Sequence, residues 1–329
     1  MLSAGVLSFV VALVTLRVLM SPTFSGVALD RPNERSLHTV PVPRSGGIAI
    51  LLGAAAGAAF QPTWELTPLF ALAACLAALS FIDDRRGLPV AARLLAQLAT
   101  AAGAVALVAH GQPAWLIVLA FFATVWMTNL YNFMDGADGM AGGMAVSGFG
   151  AYVLAATWHQ DRALGSLSLC ICAAALGFLS RNFPRASIFM GDVGSTALGF
   201  LAATLGLFGY CTDSWPLWFP LLVFLPFIAD ASITLTRRAL RGERVWEAHR
   251  EHYYQRLIRS GWGHRRMALT AYAIMVGTAG SATLALRFLD ATQGWMVLGA
   301  WLGTFGALMI ATDLHLGKAT LLDLETKAG

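Results

Sequence analysis

Apolar runs long enough to cross roughly 30 Å of hydrocarbon as helices recur along the whole chain, separated by short polar breaks. They predict about eleven spans, near residues 2–20, 46–60, 67–82, 91–109, 113–131, 143–159, 163–180, 194–211, 215–235, 268–287 and 294–312. The fold class expected is an all-α, polytopic membrane helix bundle, forming one membrane-embedded domain over residues 1–329. No Lys or Arg precedes the first run and no small-residue cleavage pattern follows Met20, which argues for a span rather than a signal peptide.

Composition agrees with this pattern. The chain is 57% hydrophobic and only 12% charged, against roughly 25% charged in soluble domains. With the N-terminus outside and the C-terminus inside, twenty of the 22 Lys and Arg lie on or near the inner side, and only Arg162 and Arg287 outside. The net charge of +4 is therefore a topological bias, suited to anionic headgroups or substrate phosphates, and no nucleic-acid module is present. Cys75, Cys170, Cys172 and Cys211 show no zinc or disulfide spacing and read as packing residues. Gly53 and Gly57 give one small-xxx-small helix face.

Candidate chemistry falls on the inner segments. Asp83-Asp84-Arg85-Arg86 follows an apolar run, so two carboxylates emerge at a helix end, as an ordinary charged terminus also would. In the stretch from Asn129 to Gly139, Asn129, Asn132, Asp135 and Asp138 recur every third residue, with Gly136 and Gly139 permitting turns. Such oxygens can hold Mg²⁺ or the polar edge of a nucleotide, or satisfy an interfacial turn. Phe189-Met-Gly-Asp192-Val-Gly-Ser places a carboxylate just before a span, where a helix N-terminus helps hold phosphate, and Phe189 can stack on a base. His249-Arg250-Glu251-His252 lies in a segment with nine arginines between Arg237 and Arg266. His-x-x-His lacks further zinc ligands, so phosphate contacts by a mobile lid fit better.

Together with Asp30 to His38 and Pro43-Arg44-Ser-Gly-Gly47, these motifs resemble those of the bacterial polyprenyl-phosphate N-acetylhexosamine-1-phosphate transferases. That membrane family also contains the phospho-muramoyl-pentapeptide translocase. The resemblance implies transfer of a sugar 1-phosphate from a UDP-N-acetylhexosamine to undecaprenyl phosphate, with release of UMP and a need for Mg²⁺. It implies that Asp192 binds the metal with Asn132 as a second contact, and that Asp135 and Asp138 meet nucleotide and substrate. Asp83, with Asp84 beside it, would handle the lipid phosphate or its proton, so Asp83, Asp84 and Asp135 are the catalytic candidates. Arg44, Asn129, Asp138, Phe189, His249, Arg250 and His252 are the candidate substrate contacts. The translocase carries consecutive histidines where this chain has His249-Arg-Glu-His252, which is similar instead to the branch initiating O-antigen or other surface polysaccharides. UDP-N-acetylglucosamine or a 6-deoxy relative such as UDP-N-acetylfucosamine is the donor implied. The implied location is a bacterial inner membrane with the site facing the cytosol, membrane lipids around it, and a homodimer among the assemblies open to the chain. The alternative is a non-catalytic multi-pass lipid or sugar transporter, which usually carries ionisable groups near the bilayer midplane. Here the only clear candidate, Asp230, lies within two turns of Arg237 and so near the inner end of its run, which speaks against that alternative.

Overall fold

The structure, a computed structural model, describes residues 1–24, 26, 29–30, 41–61, 65–245, 247 and 249–328. Beyond Asp30 the motif ending at His38 lies outside these residues. Thirteen α-helices follow one another: α1 (Leu2–Leu19), α2 (Gly46–Phe60), α3 (Thr67–Arg86), α4 (Val90–Val108), α5 (Ala114–Phe133), α6 (Met140–Trp158), α7 (Arg162–Asn182), α8 (Gly191–Cys211), α9 (Trp218–Val223), α10 (Leu225–Leu240), α11 (Tyr253–Leu257), α12 (Gly263–Phe288) and α13 (Ala291–Ala328). A π-helical turn, Ile258–Trp262, joins α11 to α12. Two-residue strands, β1 (Leu29–Asp30) and β2 (Val42–Pro43), pair antiparallel ahead of α2.

The chain is an all-α, multi-pass membrane protein. Among the described residues nine helices are long and apolar enough to cross a membrane. Two of the eleven expected spans take other forms. The run at 46–60 is a helix of 15 residues. The run at 215–235 breaks at Phe224 into α9 and α10. Pro226, at the start of α10, has no N–H to continue the ladder, so an unbroken helix through this stretch would lose a hydrogen bond.

Side chains are sorted by size rather than polarity, as expected where lipid replaces water. On α1 the small residues Ala4, Gly5, Ser8 and Ala12 face inward while Val6, Val10 and Val14 face out. Helix α8 is the most enclosed span and packs against α2, α3 and α5. Gly47 of α2 meets Gly194 of α8 so closely that a Cβ on Gly47 would lie 2.2 Å from the Gly194 nitrogen.

Candidate active site

The close α2–α8 contact fuses two separated motifs into one unit. Phe189 N–H donates to Pro43 O (2.7 Å), Gly46 N–H to Phe189 O (2.9 Å) and Gly47 N–H to Met190 O (2.8 Å). Gly191 then turns the chain into α8 at φ 71°, with the Arg44 carbonyl oxygen 2.3 Å from where a Cβ would stand. Arg44 is thereby fixed beside the first turn of α8, and its Nη2 lies 3.0 Å from Asp192 Oδ1 and 3.3 Å from Asp84 Oδ1. Three motifs far apart in sequence converge on one guanidinium.

Asp135 joins them from the turn after α5, accepting a hydrogen bond from the Gly191 backbone. Burial is the main cause holding its carboxyl well above the usual carboxylate range, followed by the nearby Asp192 charge; Arg44 and the Gly191 amide oppose them. Asp135 and Asp192 thus share the positive end of α8 with one arginine between them and Asp84. Positive charge is still in deficit, and although among the described residues no three His, Cys, Asp or Glu side chains stand together as a metal cage, the acids present fit a divalent cation held in part by other oxygens. Asn132 adds a neutral oxygen, Oδ1, which already accepts from Ser195 Oγ of α8 at 3.1 Å.

The remaining candidates divide between contact and support. Asp83 points away from Arg44: its oxygens accept from Leu88 N–H (2.6 Å) and Arg93 Nη1 (3.0 Å), which offsets the cost of a carboxylate at the C-terminal end of α3. Of the Asp83-Asp84 pair, therefore, Asp84 enters the cluster. Asn129 donates to Gln97 Oε1 of α4 and to Val125 O. Asp138 accepts from Ala186 N–H (3.0 Å) and stands 3.4 Å from His264 Nδ1, so it braces the turn after α7. Phe189 is half-buried, its backbone clamped on both sides.

The histidine segment is anchored rather than freely hinged. Asp230 of α10 accepts from the backbone N–H groups of Tyr253 (2.9 Å) and Tyr254 (3.1 Å), and Tyr254 Oη donates to Phe133 O (3.0 Å). His252 is 2% exposed, stacked between Phe133 and Tyr254, with the His249 ring 4.8 Å away. Burial, then His252 and Arg238, pull the His249 pKa down to about 4, so it is neutral at ordinary pH. The expected mobile lid is pinned to the Asn132–Gly136 turn from His252 onward. Arg237, Arg238, Arg241, Arg244 and Arg256 are spent on Asp313, Glu243, Glu251 and Glu247. Half-buried Arg250 meets no carboxylate among the described residues.

The inner motifs therefore do gather at one end of the bundle, although Asp83 and Asn129 face their own supports. Several partners carried no sequence signal. Asn182 joins Gly139 N–H to Ile188 O (2.7 and 2.9 Å), and Asp313 of α13 ties Arg237 and Arg256. Neither Asn182 nor Asp313 belongs to a spaced motif in the sequence.

A family model described as glycosyl transferase family 4 matches residues 66–210. A probable undecaprenyl-phosphate N-acetylglucosaminyl 1-phosphate transferase of Bacillus subtilis is 30% identical over 82% of this chain and 81% of its own length. The chain belongs to glycosyl transferase family 4. Other relatives are an undecaprenyl-phosphate alpha-N-acetylglucosaminyl 1-phosphate transferase of Yersinia pestis, 27% identical over 84% of this chain and 82% of its own, and a phospho-N-acetylmuramoyl-pentapeptide-transferase of Staphylococcus saprophyticus, 30% identical over 48% of each chain. Family membership places the chain among glycosyl transferases.

Proposed function

We propose that this chain transfers N-acetylhexosamine 1-phosphate from a UDP-sugar to undecaprenyl phosphate and releases UMP, at the cytosolic face of a bacterial inner membrane. The donor is UDP-N-acetylglucosamine or a 6-deoxy relative such as UDP-N-acetylfucosamine, and the product begins an O-antigen or related surface polysaccharide. The observation that carries this reading is the meeting of Asp84, Asp135 and Asp192 around Arg44 at the N-terminus of α8. Relatives named for N-acetylglucosaminyl 1-phosphate transfer, alignable over most of their length, support the substrate class.

An oxygen of the lipid phosphate attacks the sugar-bearing phosphorus of the donor. The bond from that phosphorus to the bridging oxygen breaks, and its electron pair leaves with the other phosphate as UMP. One anhydride replaces another, so the protein's contribution is alignment and charge neutralisation. Asp192 and Asn132 would hold Mg²⁺, which commonly takes one or two carboxylates along with substrate phosphates rather than a full protein cage. That habit suits a site where, among the described residues, no three His, Cys, Asp or Glu side chains stand together at ligating spacing. Bound there, the ion would neutralise charge on the donor diphosphate.

Arg44 and Arg250 serve the phosphates, and Phe189 offers its ring to the uracil. Asp83, held by Arg93 at the end of α3, handles the lipid phosphate. A short part of the prenyl chain has a fitting berth in a cavity of about 220 Å³ lined by Leu119, Met127, Gly206, Pro220, Phe224 and Ile228. Its lining is almost wholly apolar, and Met127 lies about one and a half helical turns before Asn132. The break between α9 and α10 forms one wall.

A transporter reading finds less support. Asp230, buried in α10 within two turns of Arg237, is occupied by Tyr253 N–H, Tyr254 N–H and Thr234 Oγ1, so it acts as an anchor. Incubating the purified protein with a panel of UDP-N-acetylhexosamines and undecaprenyl phosphate, then weighing the lipid product by mass spectrometry, tests the donor. One preferred N-acetylhexosamine is expected; a muramoyl-pentapeptide product alone would overturn the assignment.

A further inference from the structure

The basic residues at the active end of the bundle differ in their partners. Arg237, Arg238, Arg241, Arg244 and Arg256 are paired with glutamates or Asp313, as described above, whereas, among the described residues, Arg250 of the same loop is not. Arg181, Arg185 and Arg265 meet no carboxylate among the described residues. All three are exposed, yet they line one cleft of about 450 Å³ with Ser180, Phe183 and Ser187. No acidic residue lines it.

The cleft is built on fixed backbone. Arg181 closes α7, and its carbonyl accepts from both Ser187 N–H and Ser187 Oγ at 2.8 Å, which folds the chain back after the helix. Asp138 holds the next amide, Ala186 N–H. Arg265 enters from the first turn of α12. A neighbouring depression of about 650 Å³ shares Pro184, Arg185 and Arg265, but there Asp138 faces His264 and Arg266 lies over the Trp262 ring at 4.0 Å. An anion is therefore repelled from the Asp138 side and drawn to the three arginines. Because Arg181 ends one membrane span and Arg265 begins another, the cleft lies at the depth of lipid headgroups.

We propose that Arg181, Arg185 and Arg265 form a phosphate-binding site, separate from the Arg44 cluster, that takes the phosphodiester of an anionic phospholipid or a free phosphate of the same chemistry. Geometry favours the lipid, since guanidinium groups at the headgroup plane meet phosphodiesters at high local concentration.

Native mass spectrometry of the full-length protein in neutral detergent, with phosphatidylglycerol or phosphatidylcholine added, tests this. Retention of phosphatidylglycerol over phosphatidylcholine is expected. At about fivefold per basic residue, R181Q/R185Q/R265Q should weaken it on the order of a hundredfold. R241Q/R244Q, which removes exposed arginines already paired with glutamates, should not. Each variant is checked by thermal unfolding, and R265K, which keeps the charge on the exposed first turn of α12, should retain most binding. Inorganic phosphate at millimolar concentration separates the sources: displacement of the lipid assigns the site to free phosphate, and persistence assigns it to the headgroup. Wild-type phosphatidylglycerol binding by the folded triple variant would overturn the proposal.

Discussion

Replacing Gly47 by alanine tests whether the α2–α8 contact builds the site. The added methyl would lie 2.2 Å from Gly194 N, 2.3 Å from Gly194 Cα and 2.9 Å from Met190 O, all of them backbone atoms that no rotamer change can move. Ordinary contact begins at 3.4 Å, so α2 and α8 must part by about 1 Å. Two energies compete. Overpacking of this kind costs about 1–3 kcal/mol, and alanine's better helix propensity returns at most about 1 kcal/mol. Stability should thus fall only modestly. Activity should fall much further, because the parting moves Arg44 and Asp192 against Asp84 and Asp135, and a displacement of about 1 Å costs on the order of a hundredfold in rate. The assay is kcat/KM for UMP release from UDP-N-acetylglucosamine, read beside thermal unfolding in the same detergent. Gly299→Ala is the control, since a Cβ there meets nothing within 4 Å. Wild-type kcat/KM in Gly47→Ala, or an equal loss in Gly299→Ala, would refute the reasoning.

Asp192→Asn should lower turnover by roughly two to three orders of magnitude, about 3 kcal/mol of lost charge stabilisation, and alter the Mg²⁺ dependence; an unchanged Mg²⁺ titration of folded protein would contradict the metal role. Asp83→Asn should raise KM for polyprenyl phosphate while leaving UMP affinity intact in calorimetry, and the reverse pattern would remove Asp83 from the lipid side. Phe189→Ala should weaken UDP-sugar binding roughly five- to a hundredfold if the ring stacks on uracil, at about 1–3 kcal/mol per stacked base. His249 has a folded pKa of about 4, below its unfolded value near 6.5, so its contribution to stability is present above about pH 6.5 and lost as pH falls toward 4. His249→Gln should flatten the pH dependence of thermal unfolding across that window, and an unaltered acid limb would show that His249 does not titrate there.

The spans were legible because each long apolar run can satisfy its backbone only as a helix once it enters lipid. The break at Phe224 was harder to see, although Pro216, Pro220 and Pro226 stood in the sequence as its signal; the uniform apolarity around them concealed it. The side chains that gather near the start of α8 stood in the sequence as polar residues at or beside Gly-rich helix ends, as with Asn132, Asp135 and Asp192. Their roles were less legible. Whether Asp83 or Asp84 turns toward Arg44 depends on how Gly87 and Arg93 close the end of α3, and a dipeptide of identical residues carries no trace of that choice. Arg44 drew its interest from a motif alone, and its bridging position follows from backbone pairing between residues 43–47 and 189–194. Asp230 stood too near Arg237 for a midplane transport group, and its contacts with Tyr253 and Tyr254 give it a role that the sequence did not show, that of an anchor.

The central claim is phosphoglycosyl transfer between a UDP-sugar and a polyprenyl phosphate. Its most direct measurement is UMP release by the purified full-length protein given UDP-N-acetylglucosamine, with and without undecaprenyl phosphate. The account predicts UMP in equal amount to lipid diphosphate sugar, and none when the lipid phosphate is omitted. Release of UMP without the lipid, or passage of lipid or sugar across vesicles with no UMP formed, would contradict it.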